Sequence, residues 1–95
     1  MNAPSQARER GVSHDVSTLY ATYRAPIERY IRTLIRNSHD VEDLTQDVFL
    51  RAACALGRMG PDLHVRAWLY RIARNRCLDF LRRQRVLHFF SLEGP

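Results

Sequence analysis

Apolar positions along this chain recur at helical spacing. Val16, Leu19, Tyr20, Tyr23, Ile27, Ile31, Leu34 and Ile35 follow one another at mostly three- and four-residue steps, which predicts a helix with one buried stripe. Pro26 lies inside that stretch. Proline lacks an amide donor and crowds the preceding turn, so the first helix is expected to kink or split there. Asn37 and Ser38 close the segment. A second stripe, Val41, Leu44, Val48, Ala52 and Leu56, predicts a helix starting near Asp40. Asp40, Glu42 and Asp43 crowd its first turn, where negative charge suits the helix dipole. Gly57, Gly60 and Pro61 mark a loop over residues 57–64. A third helix is expected from about Val65 to about Val86, with Leu69, Ile72, Ala73, Cys77 and Phe80 on its buried side.

No alternating pattern of the strand type and no internal repeat is visible. The expected fold is all-α, a compact bundle of three main helices. Residues 1–13 are polar and without apolar periodicity, and read as a flexible lead-in. Residues 14–86 form the helical domain, and residues 87–95 a linker or tail. At 95 residues the chain has room for one small domain with a modest shared core.

Charge adds a second pattern. All 15 basic residues are arginine, against 10 acidic ones, for a formal net charge of +5. Guanidinium is planar, always charged and weakly hydrated, which suits phosphate contact and stacking on bases. The charges are also segregated. From His39 to Asp47 there are four acids and no arginine; from Arg66 to Arg85 there are seven arginines and one acid, Asp79. That asymmetry fits two surfaces for two partners, or two solvated faces with internal salt bridges, and charge alone does not decide between them.

The third helix is more informative. At about 100° per residue, Trp68, Arg71, Asn75, Asp79 and Arg82 share a side away from the apolar stripe, flanked by Arg74 and Arg85. A lone tryptophan would favour packing against the first helix. With arginines and Asn75 beside it, a base-stacking role fits better, the arginines holding phosphates and Asn75 reaching a base edge.

Two segments carry a family resemblance. Residues 40–52, DVEDLTQDVFLRA, resemble the polymerase-binding helix of sigma region 2. Residues 65–83, VRAWLYRIARNRCLDFLRR, resemble the promoter-melting and minus-ten-reading helix of extracytoplasmic-function (ECF) sigma factors. Their order and spacing are also similar to that family. The resemblance implies docking on the clamp helices of the RNA polymerase β′ subunit through Asp43, Gln46 and Asp47, with Leu50 and Arg51 in support. Those first three positions share a face at i, i+3 and i+4 and offer acceptors to arginines. Asp43 also suits a helix-start role, and Phe49 is expected in the core.

The resemblance further implies that Trp68 wedges where the duplex opens, that Asn75 lies near the upstream edge of the minus-ten element, and that the loop before the helix captures a flipped non-template base. The expected DNA-binding set is Met59, His64, Arg66, Trp68, Arg71, Arg74, Asn75, Arg76, Arg82, Arg83 and Arg85. Arg76 projects near the apolar side, where it can support the core or reach the duplex edge. Met59 stands where many family members carry an aromatic, which bears on which base is preferred. The implied partners are core polymerase, promoter DNA (mainly the single-stranded non-template strand) and an anti-sigma protein.

The family's C-terminal helix-turn-helix has no counterpart after Arg85, so the chain is expected to be either an isolated domain of a longer protein, which the linker-like residues 87–95 favour, or an atypical short member. A duplex-binding regulator would need a shorter turn than residues 57–64, and a purely protein-binding module would leave the arginines as a solvated face. No catalytic constellation, metal motif or cofactor loop is present. Cys54 and Cys77 lack metal spacing. With no membrane-length apolar run and no signal-peptide core, a cytoplasmic protein without membrane insertion is expected.

Overall fold

The computed structural model describes residues 15–60 and 64–93. Those residues form three helices: α1, Val16–Arg32; α2, Ser38–Leu56; and α3, Val65–Glu93. The expected lead-in of residues 1–13 lies outside the described residues.

The α1 stripe packs as its spacing predicts. Leu19, Ile27 and Ile31 are buried, Tyr23 is partly buried and Tyr20 stays exposed; Leu34 and Ile35, expected on the same helix, lie beyond its end at Arg32, Ile35 buried and Leu34 exposed. Tyr20 still sets its ring edge-on to Phe49 of α2, with centroids 5.1 Å apart. The split expected at Pro26 does not occur: α1 is one helix from Val16 to Arg32, with Pro26 inside it. Proline removes the amide that would bond the carbonyl of Thr22. Thr22 is exposed, so solvent can take that carbonyl. The fully buried Ile27 and Ile31 just beyond hold the helix in place.

Helix α2 begins two residues before Asp40. Asn37 has extended backbone, and its side-chain oxygen accepts hydrogen bonds from the amides of His39 (2.8 Å) and Asp40 (3.1 Å). Such a cap satisfies donors that have no partner within the helix. Val41, Leu44, Val48, Phe49 and Ala52 are buried, as is Thr45. The Thr45 hydroxyl donates to the carbonyl of Val41 at 2.7 Å, which removes the penalty of burying it.

Helix α3 contributes Leu69, Ala73 and Cys77, all fully buried, with Trp68, Tyr70, Ile72, Phe80 and Leu81 partly buried around them. It runs seven residues beyond Val86, so residues 87–93 of the expected linker or tail are helical. No glycine or proline interrupts residues 65–93, and Gly94 and Pro95 follow at once, which is where a helix is expected to stop. Its last turns leave the bundle: Val86, Leu87, Phe89 and Phe90 are 47–63% exposed.

Candidate functional site

Helices α2 and α3 pack along a seam that is closed at its middle by an ion pair. Arg76 of α3 donates from Nε to Oδ2 of Asp47 on α2 at 2.6 Å. Arg76 Nη1 also donates to Asp79 at 3.3 Å, Arg82 bonds the other oxygen of Asp79 at 3.3 Å, and Arg51 lies 3.4 Å from Asp47 Oδ2. The result is a line of alternating charge, Arg51–Asp47–Arg76–Asp79–Arg82, that crosses from one helix to the other.

The ion pair separates two depressions. The smaller, about 200 Å³, is lined by Asp40, Asp43, Leu44, Phe80 and Arg83. The larger is an open groove of about 660 Å³, with Leu50, Arg51, Cys54, Ala55 and Arg58 on one bank and Trp68, Ile72 and Asn75 on the other. Early α2 residues thus face late α3 residues and the reverse, so the two helices run antiparallel. Residues that the sequence assigns to two separate partners therefore border one groove.

Trp68 is half-buried. It packs on the core with one side and lines the groove with the other, facing α2 rather than only solvent. Its neighbours Arg71, Arg74 and Asn75 are exposed, as are Arg82, Arg83 and Arg85. Among the described residues, Arg71, Arg74, Arg83 and Arg85 have no carboxylate within salt-bridge distance. On α2, Asp43, Gln46, Leu50 and Arg51 are exposed and Asp47 is partly so. Met59 lies exposed on the loop after α2.

A third depression, about 500 Å³, sits at the start of α3 between His64, Arg66, Ala67 and Tyr70. The Arg66 guanidinium carbon is 5.4 Å from the centre of the Tyr70 ring, a cation–π distance. Tyr70 in turn meets Tyr30 of α1 edge-to-face at 5.3 Å.

A family model described as sigma-70 region 2 matches residues 19–86, which takes in both motif segments and most of all three helices. The chain belongs to the sigma-70 region 2 family. It is 29% identical over 82 residues to RNA polymerase sigma factor SigZ of Bacillus subtilis, covering 79% of this chain and 47% of SigZ. It is 34% identical over 80 residues to ECF RNA polymerase sigma factor SigM of Mycobacterium tuberculosis, covering 84% of this chain and 41% of SigM. Its match to RNA polymerase sigma factor CnrH of Cupriavidus metallidurans is 46% over 50 residues, 53% of this chain and 26% of CnrH. The chain spans less than half the length of these relatives. No solved structure matches it significantly.

In this region 2 domain of the ECF kind, two contacts escape sequence reading. The Tyr30–Tyr70 pair joins residues 40 apart; Tyr70 lies at the edge of the apolar stripe, three residues before Ala73 and seven before Cys77, but that spacing does not show which helix its ring meets. The Asp47–Arg76 pair joins residues 29 apart and has no local signature. The two cysteines differ: Cys54 is exposed in the groove, while burial pushes the Cys77 thiol up from 9.0 to about 11. Among the described residues there is no group of metal-ligating side chains, and no helix is long and apolar enough to cross a membrane.

Proposed function

We propose that this domain docks on RNA polymerase through α2 and opens promoter DNA with α3 and the preceding loop, as part of a sigma factor. The observation that carries the reading is Trp68: a half-buried indole with one side on an open groove, next to Asn75 and exposed arginines. Its buried side anchors the ring, and its open side offers an apolar surface to an unpaired base.

On α2, Asp43, Gln46 and Asp47 form the docking ridge, with Leu50 and Arg51 beside it. The partner is the β′ clamp helices, whose basic side chains meet the carboxylates. On α3, Arg66, Arg71, Arg74, Arg82, Arg83 and Arg85 hold phosphates, while Asn75 reaches a base edge. Met59 and His64 flank the loop that receives a flipped non-template base. Stacking of a base on an aromatic contributes about 1–3 kcal/mol, comparable with the cost of unstacking it from the duplex. The chain makes and breaks no bond. Opening is driven by tighter binding of the single-stranded state than of the duplex. An anti-sigma protein covering the same surfaces is the expected antagonist.

The test is strand opening by core polymerase on a promoter carrying 2-aminopurine in the minus-ten element. Adding the chain raises fluorescence if it opens the DNA. A chain that binds duplex promoter as tightly as single strands, without polymerase and without opening, would instead be a conventional duplex-binding regulator.

A further inference from the structure

Arg76 lies in the middle of the segment assigned to DNA, yet its charge is already engaged. Its Nε–H donates to Asp47 at 2.6 Å and Nη1 to Asp79 at 3.3 Å, and its side chain is only 21% exposed. Two carboxylates neutralise the guanidinium, so little of its charge is left for a phosphate. Its partner Asp47 belongs to the ridge assigned to polymerase. Both contacts from arginine, Arg76 and Arg51, converge on Asp47 Oδ2. Oδ1 carries neither.

The Asp47–Arg76 pair is also the only ion pair between helices among the described residues; the others join positions three or four apart within one helix. Partly buried pairs are screened less than exposed ones, and the 2.6 Å charge-assisted bond is of the short, strong kind. Arg51, more exposed and at 3.4 Å, is the weaker holder.

We infer that Arg76 is a positioning residue for polymerase docking and not a phosphate contact. It fixes the Asp47 carboxylate through Oδ2, leaving Oδ1 for a cation on the polymerase, and ties the α2 ridge to the α3 face that meets DNA. This inference rests on the proposed docking role of α2. It has a consequence that runs against the sequence segment in which Arg76 lies: a substitution on the DNA-reading helix registers as a defect in polymerase binding.

The test uses the full 95-residue chain and core RNA polymerase, with affinity read by fluorescence anisotropy of labelled chain. Arg76→Gln is expected to weaken polymerase binding about tenfold, within the range of couplings between contacting residues. Asp47→Asn should do the same, and the double variant should be no weaker than the weaker single one. Arg76→Lys, which keeps the charge, should recover most of the loss; a purely packing role would not be rescued by charge. With polymerase present, the salt dependence of binding to a single-stranded minus-ten oligonucleotide should be unchanged in Arg76→Gln. In Arg71→Gln or Arg74→Gln it should flatten by about 0.7 per lost phosphate contact.

Arg76→Met, which keeps the aliphatic stem, replaces Arg76→Gln if the latter fails to fold. Wild-type polymerase affinity in the Arg76 variants, additive losses in the double variant, or a flattened salt slope would overturn the inference. Failure of the unsubstituted chain to bind polymerase would instead overturn the docking role on which it rests.

Discussion

Replacing Trp68 with alanine separates the packing of the indole from the base stacking proposed for it. A fully buried tryptophan cut to alanine costs about 3–5 kcal/mol, part of it for the cavity left behind. Trp68 is half-buried, and its open side faces a groove that solvent already enters, so no closed cavity forms there. The expected loss of stability is therefore near half that range, about 2 kcal/mol. A domain stable by about 5 kcal/mol would still be more than about 99% folded at 25 °C. The effect on opening is separate. Loss of one base-stacking contact, about 1–3 kcal/mol, lowers the equilibrium for the open state by about 5- to 150-fold. A thermal melt gives the first quantity, and 2-aminopurine fluorescence with core polymerase gives the second. Trp68→Phe, which keeps a stacking ring, should retain most of the opening. Because Trp68 is the chain's one tryptophan, its own fluorescence reports the contact: single-stranded minus-ten DNA should quench it more than duplex does. If opening falls only in proportion to the unfolded fraction, or if Trp68→Phe is as defective as Trp68→Ala, the ring is a packing element and the stacking argument fails.

Three further expectations concern other links in the structure. Reversing charge at Asp43 and Asp47 should weaken polymerase binding at least tenfold in a pull-down or anisotropy titration while leaving the far-ultraviolet circular dichroism helical; unchanged affinity would remove the α2 ridge from the docking surface. Removing the α2 cap with Asn37→Ala should cost about 1 kcal/mol, read as a lower melting temperature, because the His39 and Asp40 amides lose their acceptor. Cys54 should react with an aromatic disulfide reagent at pH 8 while Cys77 does not. The fold favours the protonated Cys77 thiol, so stability from this group is level below pH 9.0 and declines as pH rises towards about 11. The decline is on the order of 3 kcal/mol at most, and it should be missing from denaturant titrations of Cys77→Ala.

Much of the fold is legible because helical spacing is a local signal. Of the positions that period alone picks out, Leu19, Ile27, Ile31, Ile35, Val41, Leu44, Val48, Ala52, Leu69, Ala73 and Cys77 are buried, Val16, Tyr23, Leu56, Ile72 and Phe80 are partly buried, and Tyr20 and Leu34 are exposed. What local pattern misses is set by neighbours. Pro26 carries the usual signal for a break, but an exposed Thr22 and a buried Ile27 make continuity cheaper than a new helix end. The extent of α3 escapes the pattern because its last turns have no packing stripe to mark them; only the absence of a breaker before Gly94 carries the helix on. The angle of Trp68 on an isolated helix points it outward, and that angle cannot show how closely α2 approaches.

The charge pattern shows most clearly why the site is harder to read than the fold. The sequence leaves two accounts of the acidic and basic segments open, internal salt bridges or faces for separate partners. Antiparallel packing realises the first account for some of these residues and leaves others among the described residues unpaired, as the second requires. It lays the acid-rich start of α2 beside the arginine-rich later half of α3, so opposite charges attract across the seam. Asp47 and Arg76 meet, which engages the Arg76 guanidinium and the Oδ2 of Asp47. Asp43, Arg71 and Arg74, a turn or so away, find no ion-pair partner among the described residues and stay exposed. The exposed set, together with the Oδ1 of Asp47, is what the proposed docking and DNA roles draw on, and composition cannot sort these groups from the engaged ones. The sorting is done by which side chains the α2–α3 seam brings into ion-pair contact, and that register is fixed by the buried stripes of Val48, Ala52, Leu69 and Ala73.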